Sequence, residues 1–226
     1  MTDRPVPDNP LPDNPLPARA GAPTAYAARY PNIPYIAAWS AEQPLRPGLF
    51  TDRWGRIAYT DEVGTDRDSN GVLWTRVGLR QGQGVPQLGR IHPLRQRRVM
   101  RGLLCQVCAG PADRNEQGIL WLLSDQTDRP GPDWPDWPED TAATHPPVCL
   151  PCARLATRAC PHLRAGHVAV RVREAPISGV YGALYHPRSP TTVDDALLDH
   201  ADPRTRHLIA AQLVRKLHAC TIVPLP

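Results

Sequence analysis

Four of the six cysteines occur as two pairs with the same spacing, which is typical of metal ligands. The pairs are Cys105-Gln-Val-Cys108 and Cys149-Leu-Pro-Cys152. A spacing of two residues lets both thiolates of a pair reach one ion at about 2.3 Å from a tight turn, and a second pair completes a tetrahedron. The sequence therefore predicts one structural Zn²⁺ ion bound by all four cysteines, with no coordination position left open for water.

Disulfide bonds and buried thiols are the alternatives to a metal site. The first 20 residues lack the apolar stretch of a secretory signal, so we expect a reducing, cytoplasmic location, in which disulfides are rare. No apolar run in the sequence is long enough for a membrane helix of about 18 residues, so we expect no membrane partner. These observations favour zinc over both alternatives.

The residues around the two pairs follow a characteristic order. After the first pair comes the apolar run Gly118-Ile-Leu-Trp-Leu-Leu-Ser124, and residues 151–160 after the second pair have a helical composition that ends at Pro161. A knuckle, a hairpin and a second knuckle that opens a helix resemble a treble-clef zinc finger over about residues 105–160. The chain is also similar to uncharacterised zinc-knuckle proteins of GC-rich bacteria and their phages. That resemblance implies a zinc site but no known activity.

HNH endonucleases are often built on a treble clef and need a histidine on its hairpin. Between Cys108 and Cys149 the sequence has one histidine, His145, which lies directly before the second pair and not on the apolar run. We therefore keep a divergent HNH-type nuclease only as a second alternative. No catalytic residue is assigned.

A smaller group of metal-binding residue types follows the second pair. Cys160, His162 and His167 could provide further ligands or a thiol–imidazole pair. A cysteine at the end of a helix together with surface histidines is the simpler interpretation, because free cysteine usually behaves as a small buried hydrophobic residue.

The formal charge of +4 conceals a separation of charge along the chain. Residues 69–112 contain seven arginines and no acidic residue, whereas residues 113–150 contain two basic and eight acidic residues. Arginine binds phosphate through two parallel hydrogen bonds, and such contacts give salt-sensitive binding to DNA or RNA. The candidate nucleic-acid ligands are Arg90, Arg95, Arg97, Arg98 and Arg101. The alternative is a solvated basic helix balanced by the acidic loop 125–140.

Two tryptophans, Trp134 and Trp137, lie in that acidic, proline-rich loop. Tryptophan is enriched at the energetic centres of protein interfaces, so the pair could anchor a protein partner. Packing onto the core of the same chain is the alternative.

Periodicity and turn residues predict an α+β fold with antiparallel strands. We expect strands over 55–60 and 71–79, paired as a hairpin, and over 167–174 and 178–185, also paired with each other. Helices are expected over 93–104 and 151–160, with a short one from Thr192. Asp202-Pro203 predicts a C-terminal helix whose buried face carries Ile209, Leu213 and Leu217.

Composition divides the chain into four parts. Nine of the 28 prolines fall in the first 34 residues, and a segment so poor in packable side chains cannot offset its ordering entropy. We therefore expect a disordered tail over residues 1–25. The other expected parts are a β-rich region with the basic helix (26–104), the zinc module with its acidic loop (105–162), and a β-hairpin with C-terminal helices (163–226).

These patterns favour a non-enzymatic, intracellular zinc-binding protein that contacts nucleic acid through the arginine-rich segment before its first cysteine pair. The first alternative is a protein–protein adaptor or regulatory protein that uses the Trp/Pro acidic loop.

Overall fold

The computed structural model describes residues 24–125 and 136–225. The tail predicted over residues 1–25 therefore lies outside the described residues, apart from its last two positions. There the Thr24 hydroxyl caps a short helix by accepting a hydrogen bond from the Ala27 N–H at 3.1 Å. Much of the acidic loop, including Trp134, also lies outside the described residues.

The described residues form short helices and many strands. The helices are α1 (Ala25–Arg29), α2 (Pro93–Gly102), α3 (Leu150–Ala159) and α4 (Pro161–Ala165). The strands are β1 (Ala37–Trp39), β2 (Leu49–Thr51), β3 (Ile57–Tyr59), β4 (Leu73–Trp74), β5 (Pro86–Ile91), β6 (Arg114–Asn115), β7 (Gly118–Ser124), β8 (Ala142–Ala143), β9 (His167–Glu174), β10 (Ile177–Tyr185), β11 (Thr192–Asp199), β12 (Leu208–Lys216) and β13 (His218–Val223).

Two larger sheets carry most of these strands. The first has the order β11-β10-β12-β4, and β8 pairs with the far end of β12. The second has the order β13-β9-β7-β6, and the pairs β1–β5 and β2–β3 form two small sheets. The pairings are antiparallel except that of β4 with β12, which is parallel. This arrangement confirms an α+β fold with antiparallel sheets.

The basic helix predicted over 93–104 is present as α2. Pro93 lies in its first turn, where no N–H is needed, and Leu103 ends it in the left-handed conformation with φ of 48°. The buried Gln96 side chain ties the helix to β12: its amide nitrogen donates to the Leu213 and Thr144 carbonyls at 2.9 and 2.7 Å. Its carbonyl oxygen accepts from the Leu213 N–H at 2.9 Å. The inner face of α2 is therefore fixed against the first sheet.

The prediction of a C-terminal helix is wrong. Pro203–His207 forms only a 3-10 turn, and the chain continues as β12 and β13. Ile209, Leu213 and Leu217 are buried, but the first two lie on a strand between β10 on one side and β4 and β8 on the other. A central strand buried on both faces has an almost continuous apolar sequence, and periodicity alone does not distinguish it from a buried helix.

One further prediction of secondary structure and two predictions of strand pairing are also wrong. The residues from Thr192 form the edge strand β11 instead of a short helix. The strands predicted over 167–174 and 178–185 exist as β9 and β10, but β9 pairs with β7 and β13, whereas β10 pairs with β11 and β12. Strand β3 pairs with β2 and not with β4. An alternating pattern indicates that one face of a strand is buried, but it does not identify the neighbouring strand.

Candidate metal centre

The first cysteine pair lies in a tight turn just after α2. The Cys105 N–H donates to the Gly110 carbonyl at 2.7 Å, and the Ala109 N–H donates to the Cys105 carbonyl at 2.9 Å. A Cβ at Gly110 would lie 3.4 Å from Cys108 Sγ and 2.9 Å from a methyl carbon of Thr24. A larger residue would therefore crowd the Thr24 side chain, and the Gly110 backbone helps to lower the pKa of the Cys108 thiol.

The second pair lies at the start of α3. Cys149 directly precedes the helix, and its carbonyl accepts the Ala153 N–H at 2.9 Å. Pro151 lies in the first turn, where it removes no helical hydrogen bond. The Cys152 backbone helps to lower the pKa of the Cys149 thiol, and the N-terminal end of a helix carries partial positive charge. Both effects favour a thiolate at this turn.

Backbone hydrogen bonds hold the two turns together across the 40 residues that separate Cys108 from Cys149. The Gln106 N–H donates to the Pro147 carbonyl at 3.0 Å, beside the first pair. The Val148 N–H donates to the Leu120 carbonyl on β7, also at 3.0 Å. The chain therefore runs from the first turn into the β6–β7 hairpin, then to the second turn and into α3.

The two turns bring the four cysteine sulfurs to one point. All four atoms lie within 4.8 Å of one another, and those of Cys108 and Cys149 are 3.8 Å apart. A tetrahedral ion with sulfur ligands at about 2.3 Å requires sulfur–sulfur distances of about 3.8 Å, whereas a disulfide bond is about 2.05 Å long. The cysteines are unpaired thiols. The predicted ligands Cys105, Cys108, Cys149 and Cys152 thus form a cluster that can hold a metal ion.

Interactions among the four sulfurs shift the pKa values of the cysteines in different directions. The pKa values of Cys108 and Cys149 are lowered, first of all by interaction with the neighbouring Cys105 thiol. The pKa values of Cys105 and Cys152 are raised, chiefly by hydrogen bonds with neighbouring sulfurs and further by burial. Because cysteine binds a metal as the thiolate, a bound cation would displace the protons of the cluster.

An apolar shell encloses the cluster on the protein side. Cys105 is fully buried, and the other three ligands are half-buried. They pack in one hydrophobic cluster with Leu120, Val148 and Ala153. Such a shell limits the access of solvent to a metal.

Arg95, one of the five predicted nucleic-acid ligands, points into the protein and is 5% exposed. Its guanidinium donates to both carboxylate oxygens of Glu42 at 2.7 and 2.6 Å and to the Ala37 carbonyl at 2.7 Å. Burial alone would raise the pKa of Glu42, but hydrogen bonds from Arg95 and from the Trp39 N–H lower it overall. Arg95 is therefore committed to a buried ion pair and does not reach the surface of α2.

The other four predicted arginines reach the surface. Three of them are exposed and one, Arg97, is half-buried: Arg90, Arg97, Arg98 and Arg101. The Arg97 guanidinium stacks 3.9 Å from the centroid of the Trp74 ring, and Arg98 Nη1 donates to the Tyr35 hydroxyl at 3.1 Å. Within residues 24–125 and 136–225, none of the four forms a salt bridge. In the described part of the chain, no carboxylate neutralises these four guanidinium groups directly.

Sequence reasoning missed the two aromatic residues that support this helix. Trp74 and Tyr35 are distant from α2 in the sequence, and no spacing or periodicity links them to Arg97 or Arg98. Their contacts depend on how β4 and the segment before β1 pack onto the helix, which is a tertiary feature.

The described end of the acidic loop, residues 136–140, forms its ion pairs at the turn between β12 and β13 and not with the basic helix α2. Asp140 Oδ1 lies 3.1 Å from both Lys216 Nζ and His218 Nδ1. The Glu139 carboxylate accepts a hydrogen bond from the Cys220 N–H at 3.0 Å. These contacts lie at the turn between β12 and β13, and no salt bridge joins residues 136–140 to α2.

Trp137 is a candidate anchor for a protein partner, and His145 is the candidate histidine of a nuclease. Both residues contact other parts of the same chain. Trp137 is half-buried and packs against the hydrophobic cluster that contains Trp121 and Val170. His145 is exposed and lies outside the hairpin, and its carbonyl accepts a hydrogen bond from Trp121 Nε1 at 3.0 Å.

The smaller group formed by Cys160, His162 and His167 does not converge on a metal position. Cys160 joins α3 to α4, and His167 Nδ1 lies 2.8 Å from the Leu163 carbonyl. In the described ranges, the four-cysteine cluster is the single group of three or more potential ligands whose atoms meet.

Comparisons with known proteins do not assign this chain to a family. No protein-family model matches the chain, and no curated protein or solved structure is similar to it. In the part of the chain that the structure describes, no helix has the length and apolar character needed to cross a membrane.

Proposed function

We propose that the cysteine cluster holds one structural Zn²⁺ ion and that the residues around it form a treble-clef module. The sulfur separation of 3.8 Å between Cys108 and Cys149 supports this proposal because it matches a tetrahedral edge. The order of turn, β6–β7 hairpin, second turn and α3 supports the treble clef. Zinc is preferred because paired cysteines at this spacing are typical of structural zinc sites.

The proposed role of the ion is structural and the protein non-enzymatic. When bound, zinc would cross-link two turns that are distant in sequence. All four coordination positions would be filled by sulfur, which leaves none for a water molecule or a substrate.

The proposed partner is nucleic acid, either DNA or RNA, bound through the outer face of α2. The observation that carries this proposal is a group of neighbouring guanidinium groups with no salt bridge in the described part of the chain. Arg97, Arg98 and Arg101 form this group, and Arg90 lies just before the helix. The helix leads within three residues from Gly102 to Cys105, so the zinc module and the basic face would be held together.

The surroundings of these arginines favour binding because they restrict side-chain motion. Arg97 stacks on Trp74, and Arg98 is bonded to the Tyr35 hydroxyl. A guanidinium that is already positioned loses less conformational entropy when it binds phosphate. The Gln96 contacts with β12 hold the helix itself in place.

The test is a salt titration of duplex DNA binding with two matched double variants. Arg97→Ala with Arg98→Ala removes two charges from α2. The control, Arg173→Ala with Arg188→Ala, removes two exposed charges elsewhere, on β9 and just after β10. Loss of two phosphate contacts should lower the slope of log affinity against log salt by about 1.8. Zinc content is measured in every sample so that folding of the module is controlled.

We expect the α2 variant to bind more weakly at about 50 mM salt, with the smaller slope, while the control behaves like the wild-type protein. Equal effects of the two double variants would indicate a general charge effect and contradict the assignment to α2. A wild-type protein that binds neither duplex nor single-stranded fragments at low salt would contradict the proposed function itself.

A further inference from the structure

An exposed tryptophan lies at the tip of the β2–β3 hairpin. Trp54 is 59% exposed, although burial of an indole ring is strongly favourable. The turn that presents it is rigid: the Asp52 carboxylate accepts the Trp54 N–H at 2.9 Å, the Arg56 N–H at 2.8 Å and Arg56 Nε at 2.9 Å. Gly55 completes the turn in the left-handed conformation with φ of 73°. The indole is thus held in solvent by a defined structure.

Guanidinium groups surround this indole. The Arg53 guanidinium lies 3.9 Å from the centroid of the Trp54 ring, and that of Arg56 lies 4.9 Å away. Arg56 is paired with Asp52, whereas Arg53 forms no salt bridge within the described residues. Aromatic rings and guanidinium planes are the surfaces on which unpaired bases stack.

A cleft of about 590 Å³ separates the Trp54 turn from the turn between β11 and β12. Its other wall includes His200 and Arg206. Arg206 Nε donates to the Pro203 carbonyl, and its guanidinium has no carboxylate partner in the part of the chain that the structure describes. The buried Nε2 atom of His200 has no hydrogen-bond partner there either. The cleft therefore combines an exposed ring, one arginine without a carboxylate partner among the described residues and an unsatisfied polar atom, beside Asp202, whose carboxylate is paired with Arg204.

The cleft is connected to the basic helix by one tight turn. His200 Nδ1 lies 3.5 Å from the Asn70 side-chain nitrogen. Two residues earlier, Asp68 accepts the indole N–H of Trp74 at 2.9 Å, and the Trp74 ring carries the Arg97 guanidinium. The turn of residues 68–71 therefore contacts both the His200 side of the cleft and the tryptophan on which Arg97 stacks.

We propose that this cleft binds an unpaired nucleotide, with the base stacked on the Trp54–Arg53 surface and the phosphate near Arg206. The inference deepens the proposed nucleic-acid function and rests on it, because it adds single-stranded nucleic acid as the preferred ligand. An anionic peptide would need the cations but not the exposed indole, so the structure favours a ligand with a flat aromatic face.

The test measures the fluorescence anisotropy of a labelled oligothymidylate of about 15 nucleotides and of a duplex of the same length. The variants are Trp54→Ala, Trp54→Phe and the double variant of Arg97 and Arg98. Phe50→Ala is the matched control, because Phe50 is an exposed aromatic residue (44%) on β2 that does not line the cleft. Stacking of one base on an aromatic ring corresponds to a roughly 5- to 150-fold change in affinity.

We expect Trp54→Ala to weaken binding of the single strand by that factor and to change duplex affinity by less than about twofold. Trp54→Phe should retain most of the single-strand affinity, and Phe50→Ala should behave like the wild-type protein. Unchanged single-strand binding in Trp54→Ala, or an equal loss for strand and duplex, would overturn the inference. Displacement of the oligothymidylate by polyglutamate of equal charge would also overturn it and indicate a site for anionic peptides.

Two further outcomes identify the source of the ligand and separate this inference from the proposed function. If an equimolar nucleoside monophosphate displaces the oligothymidylate, the cleft is a site for free nucleotides. If the oligothymidylate stays bound, the cleft is a site for a strand. Duplex binding that depends on Arg97 and Arg98, together with single-strand binding that Trp54→Ala leaves unchanged, overturns the inference alone. Strand binding that depends on Trp54 but not on Arg97 and Arg98 contradicts the proposed function alone.

Discussion

Replacing one cysteine ligand by alanine is expected to weaken zinc binding far more than replacing a cysteine at the other end of the same helix. Cys152 lies in the first turn of α3, and Cys160 follows its last residue. Both are half-buried, so Cys152→Ala and Cys160→Ala remove the same atoms from similar environments. The difference between them is that Cys152 belongs to the four-sulfur cluster.

The expected loss of zinc affinity is estimated by dividing the folding free energy from zinc by the number of cysteine ligands. Structural zinc contributes about 10–16 kcal/mol of folding free energy in zinc-finger peptides. Divided over four sulfurs, this corresponds to about 2.5–4 kcal/mol per ligand, or a roughly 60- to 700-fold loss of zinc affinity. The net stability of a domain is about 5–15 kcal/mol, so the loss of bound zinc is large enough to open the segment between the two turns.

The assay combines zinc affinity, measured by competition with a chromophoric chelator, with amide hydrogen exchange. The amides to follow are those of Val148 and Gln106, because their hydrogen bonds join the two turns. In Cys152→Ala we expect weaker zinc binding by the stated factor and faster exchange at both amides. In Cys160→Ala we expect one zinc per chain and wild-type protection. Equal zinc affinity in the two variants would refute the assignment of Cys152 as a ligand.

Two further predictions concern buried charges. Glu42→Gln leaves the buried Arg95 without its counter-charge and should cost about 3–5 kcal/mol in urea unfolding at pH 7. Because the folded state lowers the pKa of Glu42, the stabilisation by its carboxylate is present above pH 4.5 and is lost as the pH falls below it. The difference between variant and wild type should therefore shrink in acid, and a constant difference would contradict this explanation. Arg215 is buried and donates to the carbonyls of Met100, at 2.9 Å, and Ala175. Arg215→Met leaves both carbonyls without this donor and should cost about 2–4 kcal/mol, whereas an unchanged urea midpoint would show that other groups or water satisfy them.

The local elements around the candidate site could be predicted from the sequence because their signals are local. Pro93 marks the first turn of α2, and the paired cysteines mark the two turns. The apolar run of Gly118–Ser124 and the alternation of His167–Glu174 correspond to β7 and β9. In each case one stretch of chain carries both the apolar pattern and the residues that begin or end the element.

The tertiary features could not be predicted because they depend on distant partners. Arg95 and Arg98 have the same residue type and lie on one helix, but Arg95 is buried by an ion pair with Glu42, 53 residues earlier. The run from Leu208 to Lys216 is apolar because β12 has neighbours on both sides, and the spacing of its buried residues also fits a helix. Charge and periodicity in one segment do not report the partner that decides between such alternatives.

The central claim is a single zinc ion held by four sulfur atoms, and X-ray absorption at the zinc edge of the purified full-length chain tests it most directly. We predict one zinc per chain with four sulfur neighbours at about 2.3 Å and no nitrogen or oxygen in the first coordination shell. Protein without bound metal, iron in place of zinc, or a shell with fewer than four sulfurs would contradict the claim.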